Sequence, residues 1–156
     1  MRVGWGFDAH RIGGSGPMRI GGVIVDEDRG LIGTSDGDVA LHAVADAVLG
    51  AAALGDIGMY FPSSDPQWAD ADSADLLTRV FRMVDDRGIA VASVDVTIIA
   101  ETVRISPHRA AIRQRLSELL RISISHVSVK ATTTDGMGYL GRDEGIAATA
   151  VVSLDR

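Results

Sequence analysis

The run IAATAVVSL at residues 146–154 sets Ile146, Ala148, Ala150, Val152 and Leu154 in alternation with Ala147, Thr149, Val151 and Ser153. A period of two marks a strand with one face turned to a core. VASVDVTII at 91–99 repeats it: Ala92, Val94, Val96 and Ile98 face one way, Ser93, Asp95 and Thr97 the other. Outward from these two, 2–8 and 127–131 read as further strands, and 18–25 as a short hairpin about Gly21-Gly22. Three helices fall between them. The first, 39–54, is alanine-rich and follows the capping run Ser35-Asp36-Gly37-Asp38. The second starts at Asp72 or Ser73 and stops before Gly88; the third opens with Ser106 as cap and Pro107 at its first position, and runs to about residue 121. The expected fold is α+β: a four-stranded mixed sheet with three helices on one face, plus a small N-terminal hairpin, in a single domain over residues 1–156. The other sheet face holds too much Ala, Val and Ile to be freely solvated, which points to a subunit contact.

Composition removes whole classes of function. The chain has no Cys, which excludes disulfides, thiolate zinc sites, iron–sulfur clusters and a cysteine nucleophile. Its net charge is −6, it shows no Lys/Arg run and few aromatic residues, so no nucleic-acid partner is expected. The stretch 39–54 carries His42 and Asp46 and is too short and too polar to span a bilayer, so no membrane association is expected. MRVGWGFDAHR at 1–11 has no long apolar core of the secretory kind, and the expected location is cytoplasmic.

Four constellations could carry chemistry. Asp8 and His10 project from the same side of the first strand, a carboxylate and an imidazole that make part of a zinc site or, more plainly, an ion pair. His42 lies one turn after Asp38 and one turn before Asp46, so it reads either as a ligand oriented by a neighbouring acid or as a helix-surface His with ordinary charge partners. Asp8, His10 and His42 together would leave a fourth position open, as catalytic zinc requires. Thr132-Thr133-Thr134-Asp135-Gly136 ends a strand in hydroxyls and a carboxylate, suited to phosphate and Mg²⁺ or simply to a turn. Arg142, in Gly141-Arg142-Asp143-Glu144-Gly145, could grip a phosphate or belong to a solvated hairpin. His108 and His126 show no ligand partner.

GFDAHR at 6–11, SDGDVALHAVADAVLGAAALGDIG at 35–58, FP at 61–62 and KATTTDGMGYLGRDEGIA at 130–147 together resemble the 2-C-methyl-D-erythritol 2,4-cyclodiphosphate synthase family, over essentially the whole chain and in order. That resemblance implies conversion of 4-diphosphocytidyl-2-C-methyl-D-erythritol 2-phosphate to the cyclic diphosphate and CMP, in non-mevalonate isoprenoid biosynthesis. It implies Zn²⁺ at Asp8, His10 and His42, and Mg²⁺ or Mn²⁺ at Asp135 with the substrate phosphates. Catalytic roles fall on Thr34, Thr133 and Asp135. Substrate contacts fall on Asp8, His10, Ser35, Asp56, Ile57, Gly58, Phe61, Asp65, Ala100, Val103, Arg104, Ile105, Ala131, Thr132, Tyr139 and Arg142. It further implies a homotrimer with sites between subunits, the 100–106 segment binding cytosine.

The chain departs from the family at four places. Thr34 stands for a common His, Ser63 for an acid with Asp65 retained, Thr102-Val103-Arg104 for Ala-Pro-Lys, and Asp135 for Glu. Two other readings stay open at this point: a metal-dependent phosphohydrolase releasing linear products, and a relative that binds nucleotide or isoprenoid diphosphate as a sensor.

Overall fold

The computed structural model describes residues 1–155. Arg156, the last residue of the expected domain, lies outside the described residues. In chain order the elements are β1 (Arg2–Ser15), β2 (Met18–Ile20), β3 (Val23–Asp26), β4 (Arg29–Ile32), α1 (Val39–Ala51), α2 (Ile57–Tyr60), α3 (Ser73–Asp85), β5 (Ala90–Ile99), α4 (Arg109–Leu120), β6 (Val127–Thr132), α5 (Gly138–Gly141) and β7 (Gly145–Asp155). The main sheet runs β4-β1-β7-β5-β6, and β2 pairs with β3 in a separate hairpin. β5 and β6 are parallel, whereas β1 runs antiparallel to β4 and to β7, and β5 antiparallel to β7, so the sheet is mixed. On one face α1 lies across β1 and β7, α4 packs on β6, and α3 packs on α1 and α4.

The α+β architecture and hairpin are as expected, with corrections of detail. The sheet has five strands, because the first strand runs on past Asp8 to Ser15 and its extension pairs with β4. β4 is four residues with a glycine inside, too short to show a period. In β5 the pairing jumps from Val91–Leu154 to Ser93–Ser153, leaving Ala92 as a bulge. The inward side therefore takes Val91, not Ala92, before Val94, Val96 and Ile98. Ser106 and Pro107 open a 3-10 turn (Ser106–His108), and α4 follows it without a side-chain cap. Asp38 and Asp72 are the caps of α1 and α3, accepting from Leu41 N and Ala74 N.

How close α1 sits to β1 is decided by Gly4 and Gly6. A β-carbon at Gly4 would stand 2.0 Å from Ala47 O, and one at Gly6 would stand 2.0 Å from Ala43 O. Only a strand position without a side chain lets the helix backbone press onto it. Ala43, Ala47 and Ala51, four residues apart, supply the matching low ridge on α1. α1 is buried nearly all round, between the sheet and α3. The opposite sheet face exposes Val3, Trp5, Phe7 and Val151, with the Trp5 and Phe7 rings stacked at 6.3 Å. Among the described residues no helix is long and apolar enough to cross a membrane.

Candidate functional site

Gly4, Gly6, Asp8 and His10 share the helix-facing side of β1, so the two side chains project where α1 presents His42. Asp8 Oδ2 meets His10 Nε2 at 3.0 Å and His42 Nδ1 at 2.9 Å. The imidazole centroids are 5.5 Å apart. One ligand atom from each of the three residues lies within 4.8 Å of the others, a group able to hold a metal ion.

The outward nitrogens of both rings have partners. His10 Nδ1 lies 2.9 Å from the Ile32 carbonyl, which can only accept, so Nδ1 carries a proton and Nε2 is the atom left for an ion. His42 Nε2 lies 2.8 Å from Ser73 Oγ and 3.2 Å from Ser35 Oγ. Ser73 donates its hydroxyl proton to the Asp36 carboxylate, so it accepts from His42 Nε2–H. Nδ1 then faces the ion site. Two imidazole nitrogens and a carboxylate oxygen with fixed tautomers fit zinc, and three protein ligands leave one position open.

Electrostatics favour charge separation here. Burial pushes the Asp8 carboxyl up, but hydrogen bonds from His10 and His42 outweigh it and hold the pKa at about 2. The hydrogen bond to Asp8 raises the His10 pKa above its ordinary value, against the opposing effect of burial.

The acids flanking His42 along α1 do not orient it. Asp38 is fully buried and accepts from Gly21 N at 2.8 Å, Gly22 N at 2.7 Å and Leu41 N, fastening the β2–β3 hairpin to the start of α1. Burial pushes its carboxyl up to about 6 against the pull of those donors. Asp46 accepts from Ile57 N at 2.8 Å and fixes the start of α2; partial burial raises its pKa. The acid behind His42 is instead Asp36, acting through Ser73 of α3.

Around this centre a cavity of about 220 Å³ is lined by Asp8, His10, Thr34, Ser35, His42, Ile57, Gly58, Phe61, Ser63, Trp68 and Leu76. Asp56 caps α2, accepting from Met59 N at 3.1 Å. Asp65 lies outside the cavity lining and caps the 3-10 turn Pro66–Trp68. Trp68 and Leu76 were missed by the sequence reading. Trp68, edge-on to Phe61 at 4.9 Å, belongs to a turn with no periodic signal.

The remaining expected site residues gather elsewhere. A second cavity, about 410 Å³, is lined by 100–101, 103–107 and 131–133, and so includes Ala100, Val103, Arg104, Ile105, Ala131, Thr132 and Thr133. The two cavities share no lining residue. Asp135 is exposed in the turn after β6, its N–H bonded to Thr133 Oγ1 at 3.1 Å. Tyr139 is exposed beside His10 and Glu144 in a separate hollow. Arg142 pairs with Glu144 at 2.9 Å.

Comparison with known proteins gives one answer. The sequence profile of the YgbB family matches residues 1–155. A Bacillus cereus protein named 2-C-methyl-D-erythritol 2,4-cyclodiphosphate synthase is 50% identical over 156 residues, covering 100% of this chain and 99% of the relative. The Aliivibrio salmonicida protein of that name is 52% identical over 154 residues, covering 99% and 97%. A CDP-bound structure of 2C-methyl-D-erythritol-2,4-cyclodiphosphate synthase superposes with a TM-score of 0.89 at 34% identity, over 99% of this chain and 100% of the other. The IspF–CDP complex from Plasmodium falciparum gives 0.84 at 30% identity, over 98% and 94%. Matched along the full described length by profile, sequence and fold, the chain belongs to the YgbB family, that of the 2-C-methyl-D-erythritol 2,4-cyclodiphosphate synthases.

Proposed function

We propose that this chain is a phosphorus–oxygen lyase of non-mevalonate isoprenoid biosynthesis, folded as one domain over residues 1–156. It converts 4-diphosphocytidyl-2-C-methyl-D-erythritol 2-phosphate to 2-C-methyl-D-erythritol 2,4-cyclodiphosphate and CMP. The observation that carries this reading is the convergence of Asp8 Oδ2, His10 Nε2 and His42 Nδ1 beside a cavity, in a chain so close to named synthases. An oxygen of the 2-phosphate attacks the β-phosphorus, the bond to the CMP oxygen breaks, and CMP leaves with the electron pair. Nucleophile and electrophile belong to one molecule, so the protein's task is to bend a polyanion and hold its ends together. Such positioning is worth up to roughly 7–11 kcal/mol.

Asp8, His10 and His42 are the residues that would hold zinc. Asp135, an exposed carboxylate with no side-chain partner among the described residues, would hold Mg²⁺ or Mn²⁺ with phosphate oxygens. When bound, these cations supply the positive charge that a chain of net charge −6 lacks at the transferring phosphate. Thr34 lines the metal cavity and offers its hydroxyl to that phosphate, while Thr132 and Thr133 present theirs to the diphosphate. The segments 56–58 and 100–106 hold the ribose side and the cytosine; the CDP complexes of related enzymes support a cytidine ligand.

The working unit in this reading is a homotrimer. Within one chain Asp8 stands on β1 and Thr132 on β6, with β7 and β5 between them. Three strand spacings of about 4.8 Å put roughly 14 Å between those strands. A neighbouring chain that brought its 100–106 and 132–135 segments to this chain's metal cavity would close the gap. Val3, Trp5, Phe7 and Val151 supply an apolar face for such a contact. A substrate carrying three phosphate groups does not cross a bilayer unaided, which supports a cytoplasmic location.

Purified protein given zinc, Mg²⁺ and the proposed substrate should release CMP and the cyclic diphosphate in equal amounts. Linear phosphorylated products would instead support a phosphohydrolase, and binding without turnover a sensor.

A further inference from the structure

Between Ala100, whose N–H donates to Thr132 O at 3.1 Å, and Ile105, whose carbonyl accepts from His108 N at 2.9 Å, the 101–104 backbone makes no backbone hydrogen bond among the described residues. This stretch lines the second cavity through Glu101, Val103 and Arg104, but Thr102 is absent from the lining. Its side chain instead meets residues from two distant segments. Thr102 Oγ1 donates to Asp143 Oδ2 at 2.7 Å and accepts from Arg29 Nη1 at 2.9 Å. Arg29 Nη1 also reaches Asp143 Oδ2 at 3.1 Å, closing a three-membered ring of hydrogen bonds. The donor directions are fixed, since a guanidinium only donates and a carboxylate only accepts.

The other end of Arg29 is anchored too. Its Nε donates to Asp26 Oδ2 at 2.8 Å, and Asp26 Oδ1 accepts from the N–H groups of Asp28 and Arg29 at 2.9 Å each. The guanidinium is therefore a rigid strut from the β3–β4 turn to the middle of the 100–106 loop. Asp143 has φ of +58°, a left-handed conformation that glycine adopts most readily. A carboxylate there reaches both Thr102 and Arg29, a contact glycine could not make.

We infer that Arg29 and Asp143 are positioning residues that hold the nucleotide loop open through the Thr102 hydroxyl, so that Glu101, Val103 and Arg104 face a cytidine nucleotide. The inference rests on the nucleotide-binding reading of the second cavity. The loop's central tie is a side-chain one, so its removal costs nucleotide affinity and leaves the metal centre alone.

The test is CDP titration by calorimetry on the full-length, zinc-loaded protein with Mg²⁺, alongside steady-state kinetics and thermal melting. Thr102→Val should weaken CDP binding and raise KM about tenfold, as expected for lost hydrogen bonds to charged groups, with kcat within about twofold. Thr102→Ser, which keeps the hydroxyl, should restore both. Asp143→Gly relieves the backbone while removing the acceptor, so it should lose CDP affinity to a similar degree without a lower melting temperature. Zinc affinity should not move in any of them. CDP binding by the unaltered protein that Thr102→Val and Asp143→Gly leave intact would overturn the clamp alone. No CDP binding by the unaltered protein would overturn the nucleotide reading and the clamp with it.

Discussion

Asp8, His10 and His42 stand on a strand and a helix whose backbones touch, whereas Thr132, Thr133 and Asp135 stand at the open end of an edge strand and in the turn beyond it. The first trio is placed by packing. β1 and α1 cannot shift against each other without opening a contact that Gly4 and Gly6 made possible. The second trio is placed by strand pairing at Thr132 and a local turn after it, and the 100–106 loop beside it by side-chain ties over long chain distances. A site built on packed elements fixes its atoms tightly; one built on loops adapts more easily. The departures follow loops rather than cavities. Val103, Arg104 and Asp135 fall in the loop-built half, and Thr34 and Ser63 stand in loops that line the metal cavity, while Asp8, His10 and His42, on the packed strand and helix, match the family pattern.

The largest effect should come from breaking the packed half. In Gly6→Ala the new methyl meets Ala43 O at 2.0 Å, with backbone on both sides of the clash. Either the helix moves or the strand does, at a cost of about 3 kcal/mol, and His42 leaves the reach of Asp8. Chemical denaturation should show that loss, and zinc analysis after dialysis should show less than one equivalent bound. Thr132→Ala makes the contrast: Thr132 is exposed, so turnover should fall with the denaturation midpoint unchanged. Equal stability losses in the two variants would contradict the division.

A smaller effect should follow from Ser73→Ala, which keeps every metal-facing atom and removes what holds His42 in its tautomer. Loss of such an outer partner typically costs 10–100-fold in metal affinity. Ser35 Oγ, already 3.2 Å from His42 Nε2, remains as a substitute acceptor, so about tenfold is expected. Competition with a chromophoric zinc chelator measures it. Ser35→Ala combined with Ser73→Ala should weaken binding further; an unchanged affinity in the pair would mean that the carbonyl behind His10 suffices to orient the site.

That Ser73 and Asp36 matter was not legible in the sequence, and the reason is physical. Asp8 and His10 follow from strand period, and His42 from its place on a helix with a recognisable cap. The Asp36–Ser73 contact joins residues 37 positions apart through a loop, so no local period marks it. Asp38 and Asp46 lay one helical turn from His42 and were the natural choice, but burial at the hairpin and at α2 had already engaged them. The same holds in the fold. Strands of ten or so residues announced themselves, whereas β4 and α2, four residues each, form only because their neighbours supply the pairing and the cap. The Arg29–Thr102–Asp143 ring spans separations of 73, 41 and 114 positions and has no sequence signal at all.

The finest test of the packed half is its response to pH. In the metal-free protein the depressed Asp8 pKa, about 2, contributes stability above the ordinary 3.8 that is lost as pH falls toward 2. The raised His10 pKa contributes stability that is full below 6.5 and lost as pH rises through the folded value. Zinc reverses the second dependence, because binding must displace the proton on His10 Nε2. Between pH 6 and 8 the metal-free melting temperature should therefore drift down from this source, while the increase on adding zinc should grow, with affinity gaining at most about tenfold per pH unit for the one proton displaced. Comparing loaded with metal-free protein at each pH removes the contribution of every group that zinc does not touch. His10→Ala should abolish the zinc-dependent rise across this range. If the rise persists in that variant, the proton in competition with the metal does not sit on His10, and the raised His10 pKa is not what couples zinc binding to pH.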